Sequence, residues 1–208
     1  MTMALLTMAP LILIPCRSLR SGKSRLAGFL SDPQRHALCR DFLDQTLKLA
    51  QHIAAAERIR LVSSDPEAIA LAEKLGIANI ADSEAGLNAA LHQAALHWRQ
   101  QDTAFDAQTL LILPIDLVQA DAEALQTLLA LPGEMALAPD LAAEGTNALR
   151  LPGRMAADFR FQFGEHSFAK HQAEAARLGL TLDILRDDRL GFDIDSPADH
   201  TAWMQGRD

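Results

Sequence analysis

Leu11-Ile-Leu-Ile14 is a continuous apolar run near the start of the 208-residue chain, and a polar loop from Arg17 to Ser24 follows it. An uninterrupted apolar run of this length is typical of a parallel strand that is covered by helices on both faces. An amphipathic segment then begins near Asp32-Pro33, where Asp32 can cap a helix and Pro33 fits its first position. The opening of the chain therefore predicts the strand, loop and helix of an α/β protein.

The same alternation of apolar runs and amphipathic segments continues along the chain. It predicts further strands at 58–62, 77–80, 109–113 and 135–138, and further helices at 66–75, 87–99, 121–129 and 167–178. Strands alternating with helices of these lengths indicate right-handed crossovers in a mostly parallel sheet. We therefore expect a Rossmann-like α/β fold with helices on both faces of the sheet, in a single domain that spans residues 1–208.

The composition narrows the class of protein. With 49% hydrophobic and 22% charged residues, the chain can bury one sizeable core, while a net charge of -8 and a pI near 5.3 argue against binding to nucleic acid. Cys16 and Cys39 offer neither a metal spacing nor a disulfide framework, which favours a reducing compartment. The apolar stretch from Met3 to Pro15 is too short to span a bilayer. We expect a cytoplasmic enzyme that binds no membrane and is a monomer or homodimer.

Three carboxylates are candidates for a metal site. Asp193 and Asp195 lie two residues apart at an apparent strand end, so both would project to one face, and Asp116 follows a predicted strand. Hard cations such as Mg²⁺ prefer oxygen ligands and bind through a few carboxylates together with substrate phosphates. The alternative is that Asp195 caps a last helix, with Ser196-Pro197 behind it, and that Asp193 is a surface carboxylate.

The loop after the first strand concentrates positive charge in an otherwise acidic protein. Its Ser21-Gly-Lys-Ser24 segment resembles part of a Walker phosphate loop, but Arg17 stands where that pattern needs a glycine. The loop and its flank carry Arg17, Arg20, Lys23 and Arg25. These side chains could neutralise a triphosphate, with lysine as a point charge and arginine as a bidentate fork. A merely solvated loop is the alternative.

Several turns carry groups that suit an anion or a base. Gly86 and Asn88 open a predicted helix, and Ser167 opens another whose free N–H groups suit an anion. Ligands bind at the carboxyl ends of parallel strands, so the loop after Ile14 and the turns at Asp65 and Asp116 are expected at one edge of the sheet. Taken singly, such motifs are more often ordinary turns and caps than binding sites, and only their combination is informative. His166 and His171 have no ligand spacing and are expected to be surface or half-buried residues.

Taken together and in order, these blocks resemble the 2-phospho-L-lactate guanylyltransferase family of deazaflavin coenzyme F-420 biosynthesis, from about Leu11 to Asp199. The blocks are Ile14-Pro-Cys-Arg17, Lys23-Ser-Arg-Leu26, Ser63-Ser-Asp-Pro66, Gly86-Leu-Asn88, Leu113-Pro-Ile-Asp-Leu117, Gly145-Thr-Asn-Ala-Leu149, Phe163-Gly164, Ser167-Phe168 and Asp193-Ile-Asp-Ser-Pro197.

The resemblance implies a nucleotidyltransferase version of the Rossmann-like fold. It also implies transfer of the guanylyl group of GTP to a small phosphorylated acid, with release of pyrophosphate. The acid would be 2-phospho-L-lactate, phosphoenolpyruvate or 3-phospho-D-glycerate.

The resemblance also implies roles for single residues. Three groups of residues follow: Asp116, Asp193 and Asp195 as Mg²⁺ ligands; Thr146, Gly164 and Ser167 as the acid pocket; and Arg17, Lys23, Arg25, Asp65, Gly86 and Asn88 on the nucleotide side. Lys23, Arg17 and Asp116 would be the catalytic residues.

The chain departs from the family pattern at a few positions. Arg17 replaces a usual lysine, Val118 replaces a common proline, and Glu165-His166 replace a usual proline and glycine. The first change keeps the positive charge but alters the hydrogen-bond geometry. The last change makes the acid pocket bulkier or differently charged.

Three other functions remain open at this point. The first is another nucleotidyltransferase with a sugar phosphate or the molybdenum cofactor as acceptor, although the latter relatives typically carry a glycine-rich first loop. The second is a glycosyltransferase that uses an Asp-x-Asp metal site and a nucleotide sugar. The third is a non-catalytic regulator that binds GTP without turnover.

Overall fold

The computed structural model describes residues 9–82 and 86–206, so that Met3 to Met8 of the N-terminal apolar stretch lie outside the described residues. The strands are β1 (Leu11–Pro15), β2 (Ile59–Val62), β3 (Ala78–Ile80), β4 (Thr109–Ile112), β5 (Met135–Pro139), β6 (Thr146–Pro152) and β7 (Leu182–Ile184). The helices are α1 (Asp32–Ile53), α2 (Pro66–Lys74), α3 (Leu87–Gln101), α4 (Ala122–Ala130), α5 (Ser167–Arg177), α6 (Asp188–Gly191) and α7 (Pro197–Gln205). Among these described helices, none has both the length and the apolar character that a membrane crossing requires.

The seven strands form one sheet in the order β3-β2-β1-β4-β6-β5-β7. Neighbouring strands are parallel, except that β6 runs antiparallel to both β4 and β5. The predicted mostly parallel sheet is confirmed. Because β6 runs in the opposite direction, its first residues, Thr146 and Asn147, lie at the edge where the parallel strands have their carboxyl ends.

Strand β1 explains why both faces of the sheet are covered. Ile12 and Ile14 pack on one face with residues of α1, α2 and α4, whereas Leu11 and Leu13 pack on the other face with residues of α3 and α5. All four side chains are buried, and each stabilises the fold by roughly 1.5–3 kcal/mol relative to an exposed position. The predicted arrangement of helices on both faces is confirmed.

The C-terminal part of the sheet departs from the sequence prediction. Asp193 and Asp195 were expected at a strand end, but they lie in the loop between α6 and α7, so that this expectation is wrong. Ile194 between them is fully buried and packs with Leu26 and Phe42 in a small third cluster of the core. Packing of Ile194 therefore helps to fix the loop without a strand.

Two helix caps also differ from the expected residues. Ser196 caps α7, because its Oγ accepts the N–H of Asp199 at 3.3 Å, so the alternative in which Asp195 caps this helix is wrong. Ser31, not Asp32, occupies the cap position of α1, and its N–H donates to Gln34 Oε1 at 2.9 Å. The serine cap of α7 leaves the carboxylate of Asp195 available to the cleft.

Candidate active site

A cleft of about 990 Å³ opens at the carboxyl edge of the parallel strands. The first loop (residues 16–25), the turn at Asp65, the turn at Asp116 and the side chain of Asp195 all line it. The expectation that these turns emerge at one edge of the sheet is confirmed. Such an edge is where α/β sheets bind their ligands.

Asp116, Asp193 and Asp195 converge beside this cleft. Each offers a carboxylate oxygen, and the three oxygens lie within 4.8 Å of one another. Asp116 is held by the turn after β4, while burial of Ile194 turns the flanking Asp193 and Asp195 together towards Asp116. The predicted convergence is confirmed, although a loop produces it and not a strand.

The close approach of the carboxylates raises the energy of the fully charged site. Burial, and then the charges of Asp116 and Asp195, raise the pKa of Asp193 to about 6. Mutual repulsion of this kind is relieved by a cation in the same place. The site therefore has an excess of negative charge that a positive group can neutralise.

Asn147 anchors the loop that carries Asp193. Its Nδ2 donates to the carbonyl oxygens of Leu190 and Gly191 at 3.0 and 3.1 Å, and lies 3.3 Å from Asp193 Oδ1. The side chain is buried at the start of β6, so it ties this loop directly to the sheet. Sequence reasoning assigned Asn147 no role, although it stands inside the Gly145-Thr-Asn-Ala148 block that carried the family resemblance.

Lys23 provides a positive group at the carboxylate cluster. Its Nζ donates to Asp195 Oδ1 at 2.8 Å and also to Asp116 Oδ2, and its side chain is only 10% exposed. Burial alone would lower the pKa of Lys23, but the charges of the two carboxylates and the hydrogen bonds to them outweigh burial and hold the pKa above its usual value. Arg25 adds an exposed contact, with Nη1 2.9 Å from Asp195 Oδ2. Lys23 is therefore a permanent cation at this place.

The first loop is packed tightly against α1. Lys23 has a left-handed backbone conformation with φ of 52°, and Arg35 Nη1 of α1 donates to the carbonyl of Gly22 at 3.2 Å. A methyl group added at Gly22 would lie 2.7 Å from Cys39 Sγ and 3.2 Å from the carbonyl oxygen of Ser18. This close approach requires glycine at position 22 and fixes where the lysine beside it can reach.

The two cysteines are buried and free. Both line the cleft, and burial is the main cause that raises the pKa of Cys16 to about 12. A thiol with so high a pKa is almost entirely protonated at neutral pH and is a poor nucleophile. Cys16 therefore serves the packing of the cleft, as the sequence suggested.

Asp65 was expected on the nucleotide side, and its turn does line the cleft. Its carboxylate, however, accepts the N–H groups of Glu67 and Ala68 at 2.9 and 3.2 Å and that of Leu19 at 2.9 Å. Burial would raise the pKa of Asp65, but these three hydrogen bonds outweigh it and hold the pKa below its usual value. The side chain therefore caps α2 and fastens the first loop to it at Leu19.

Arg17 also lines the cleft, with 58% of its side chain exposed. Its Nε lies 3.6 Å from Oδ2 of Asp82, a buried residue at the end of β3 that sequence reasoning did not single out. An exposed guanidinium anchored at one side can still rotate towards a ligand. Arg17 is thus placed as a largely exposed cation in the lining of the cleft.

Thr146 and Ser167 were predicted to belong to one acid pocket; the two residues are in contact and buried, and neither they nor Gly164 are among the residues that line the cleft. The N–H of Thr146 donates to Ser167 Oγ at 2.8 Å, and Thr146 Oγ1 lies 2.9 Å from Nδ1 of His171. His171 Nε2 accepts the N–H of Gln162 at 3.0 Å, so its proton is on Nδ1 and points to Thr146. Burial is the main cause that lowers the pKa of His171 to about 4, and the ring is neutral at pH 7.

His171 differs from the expectation of a surface or half-buried residue, because its side chain is fully buried. The start of α5 differs as well. The N–H groups of Ser167 and Phe168 were expected to be free for an anion, but they donate to the carbonyls of Gly164 and Glu144, both at 3.1 Å. Gly164 has φ of +118°, a conformation that requires glycine.

Gly86 and Asn88 lie at the start of α3, and Leu87 between them lines the cleft. The side chain of Asn88 is bonded to the backbone of Phe163, with Nδ2 3.0 Å from its carbonyl oxygen and Oδ1 2.8 Å from its nitrogen. The structure thus joins Asn88 to the segment before Gly164 and does not bring it to Lys23.

The donor set of the cluster fits Mg²⁺. All three candidate ligands are carboxylates, which this hard cation prefers, and the oxygens are near enough to share one ion. The cluster also already binds a cation, the ammonium group of Lys23, through Asp116 and Asp195. An acidic triad that can hold a divalent metal is therefore present.

A family model described as "Guanylyl transferase CofC like" matches residues 10–208 of the chain. The chain belongs to this family. The phosphoenolpyruvate guanylyltransferase of Sphaerobacter thermophilus is 37% identical to this CofC-like chain. The match covers 92% of this chain and 91% of the Sphaerobacter protein. The phosphoenolpyruvate guanylyltransferase of Chloroflexus aggregans is 38% identical, and the match covers 88% of this chain and 91% of the Chloroflexus protein. The chain is accordingly an enzyme, a nucleotidyltransferase of the guanylyl-transferring type.

Solved structures show the same fold for this CofC-like enzyme. One is a Desulfovibrio desulfuricans structure described as a "putative nucleotide-diphospho-sugar transferase", with a TM-score of 0.72 and 17% sequence identity. The superposition covers 94% of this chain and 86% of the Desulfovibrio chain. Another is a 4-diphosphocytidyl-2C-methyl-D-erythritol synthase, with a TM-score of 0.67 and 11% sequence identity. The superposition covers 95% of this chain and 97% of the synthase chain. The predicted nucleotidyltransferase version of the Rossmann-like fold is confirmed.

Proposed function

We propose that this enzyme transfers the guanylyl group of GTP to phosphoenolpyruvate, with Mg²⁺ as cofactor and pyrophosphate as the second product, in coenzyme F-420 biosynthesis. The choice of acid is supported by the names of the relatives that are 37% and 38% identical. 2-phospho-L-lactate and 3-phospho-D-glycerate are the alternative acceptors that the family resemblance implies. The observation that carries the proposal is the cluster of Asp116, Asp193 and Asp195 around Lys23, of which Lys23, Asp116 and Asp195 line the cleft.

The reaction needs little covalent help from the protein. A phosphate oxygen of the acid is already ionised at neutral pH, so it can attack the α-phosphorus of GTP without a general base. A new P–O bond forms at the α-phosphorus, the bond to the bridging oxygen of the β-phosphate breaks, and pyrophosphate carries away the electron pair. Such a step depends on positioning and on neutralising charge.

The charged residues of the cleft suit this requirement. Asp116, Asp193 and Asp195 would hold Mg²⁺, which when bound neutralises phosphate charge and polarises the phosphoryl oxygens. Lys23, buried and permanently charged, stabilises the departing pyrophosphate together with Arg17. Arg25, whose side chain is 69% exposed, adds positive charge at the mouth of the cleft. Catalysis in this proposal is electrostatic.

The acid side of the site is assigned to Thr146, Gly164 and Ser167. Thr146 is the neighbour of Asn147, whose amide approaches Asp193, so that this side borders the carboxylate cluster. At Gly164 an added methyl group would meet no atom within 4 Å, which leaves room for a ligand to approach the bare backbone. On the other side of the site, the turns at Asp65 and Gly86 are proposed to border the nucleotide.

The experiment is to incubate the protein with GTP, MgCl₂ and each of the three acids separately. Pyrophosphate release is followed, and the product is identified by mass spectrometry, with the Asp116→Asn variant as the control for contaminating activity. The proposal expects guanylyl-phosphoenolpyruvate and one pyrophosphate per product. Three other results would contradict the proposal. Turnover with a sugar phosphate alone would indicate a different nucleotidyltransferase, and cleavage of a nucleotide sugar without pyrophosphate release would indicate a glycosyltransferase. GTP binding without turnover would indicate a regulator.

The proposal places the enzyme in the cytoplasm, as one domain that acts as a monomer or homodimer. Its binding partners are GTP and the phosphorylated acid, and it binds neither nucleic acid nor membranes. The net charge of -8 supports the exclusion of nucleic acid.

A further inference from the structure

Asn88 makes a pair of hydrogen bonds to the backbone of a single residue that is distant in the sequence. Its Oδ1 accepts the N–H of Phe163 at 2.8 Å, and its Nδ2 donates to the carbonyl of Phe163 at 3.0 Å. Both halves of the amide are therefore engaged, in the way that a neighbouring strand would engage the backbone. The contact joins the first turn of α3 to the segment that leads into Gly164.

The segment held by Asn88 is also held from the opposite side. The N–H of Gln162 donates to Nε2 of the buried His171 on α5, and the ring of Phe163 packs edge-on against the same histidine with centroids 4.9 Å apart. Phe163 lines the cleft, and Gly164 follows it with φ of +118°. The two side chains thus clamp the turn between α3 and α5.

We propose that Asn88 is a positioning residue for the phosphorylated acid and does not contact the nucleotide. The amide would have to release two hydrogen bonds to the Phe163 backbone before it could reach a base or a phosphate. Its position instead fixes the Phe163–Gly164 turn, whose bare backbone faces open space. This inference rests on the proposed function, because that function assigns Gly164 to the acid pocket.

The inference predicts a separation between the two substrates. Asn88→Ala removes both hydrogen bonds, and Asn88→Asp keeps the size and the acceptor but sets a negative oxygen against the Phe163 carbonyl. Each change loosens the turn from the α3 side and leaves the first loop untouched. We expect the KM for the acid to rise by about tenfold, with the Kd for GTP changed less than about twofold.

The experiment measures the KM for the acid at saturating GTP and the Kd for Mg²⁺·GTP by calorimetry, in wild type and both variants. Gln93→Ala, an exposed residue of the same helix, is the matched control. Thermal unfolding confirms that each variant is folded at the assay temperature, and Asn88→Asp replaces Asn88→Ala if the latter is not. The expected result is a raised KM for the acid with unchanged GTP binding.

Two results would overturn the inference. A weaker Kd for GTP with an unchanged KM for the acid would make Asn88 a nucleotide contact, and unchanged values for both substrates would remove it from the site. Failure of the proposed function is a different outcome, because in that case the wild-type protein itself forms no guanylylated acid. GTP binding by the variants still tests the nucleotide contact in that event.

Discussion

The two sides of the cleft are built in different ways. The first-loop wall (residues 16–25) carries charged side chains, of which Arg17 and Arg25 are mostly exposed and can move. The opposite wall (the start of β6, the 162–164 turn and the start of α5) lines the cleft only through Phe163, and behind Phe163 it has neutral polar groups that are bonded to one another in the interior. The first wall can change its contacts when a ligand binds, whereas the second is part of the folded core. Substitutions in the first wall should therefore alter catalysis, and those in the second should alter stability as well.

The largest effect is expected at the carboxylate cluster, where the two walls meet. Asp116→Asn or Asp193→Asn should reduce the turnover number by at least about 100-fold, because the charge that holds the cation is lost. The fold should remain intact, since burial and neighbouring charges already disfavour ionised Asp193, and Lys23 keeps Asp195 as a partner when Asp116 is replaced. Pyrophosphate release and thermal unfolding measure the two effects. Asp44→Asn, at a surface ion pair with Lys48, is the control, and wild-type turnover by either variant would refute the metal role.

A smaller loss is expected from the first-loop wall. Lys23→Met should lower kcat/KM for GTP by about 10- to 100-fold with little change in the KM for the acid, because the lost charge faces the triphosphate. Steady-state kinetics with each substrate varied in turn make the measurement. Lys48→Met, which removes an exposed ammonium far from the cleft, is the matched control. Unchanged GTP kinetics would exclude Lys23 from the site.

The opposite wall should show its effect in the pH dependence of stability. Burial lowers the pKa of His171 to about 4, while an unfolded histidine titrates near its usual value of about 6.5. Between these values the unfolded state binds more protons than the folded state, so the free energy of unfolding falls as the pH falls from about 6.5 to about 4, by about 3 kcal/mol in total. Below the folded pKa this histidine adds no further loss.

Urea unfolding of wild type and His171→Asn across this pH range checks the prediction. The difference between the two proteins isolates the histidine from carboxylates that titrate in the same range. His52→Asn, at an exposed position on α1, should retain the wild-type slope. A His171→Asn curve parallel to that of wild type would show that the buried ring does not govern the acid sensitivity.

The sequence was most informative where local pattern and tertiary structure agree. The apolar run in β1 is buried on both faces, so its composition alone indicated the sheet and its helix layers. The turn after β4 was equally clear, since a strong strand runs directly into Asp116. Asp116 could be placed at the binding edge because the carboxyl ends of parallel strands meet there, whereas Asp193 and Asp195 join it from a loop and not from the strand end that was expected.

The rest depended on contacts between segments that are distant in sequence. Whether Asp193 and Asp195 approach Asp116 is decided by burial of Ile194 against α1, which spacing alone does not reveal. β7 has three half-buried or exposed residues and therefore no apolar run to detect. The roles of Asn88 and His171 likewise follow from their hydrogen bonds to the backbone of Phe163 and Gln162. The sequence does not reveal these contacts, because asparagine and histidine also occur as exposed residues.

The tight contact at Gly22 also restricts how this sequence can diverge. A side chain at position 22 presses first on the sulfur of Cys39, and with that sulfur removed its nearest neighbour becomes the Ser18 oxygen at 3.2 Å. A side chain at position 22 therefore requires that Cys39 be replaced first, and the Ser18 carbonyl must then still shift by a few tenths of an ångström. The order in which these two substitutions occur is thus imposed by shape, even though neither position carries a charge.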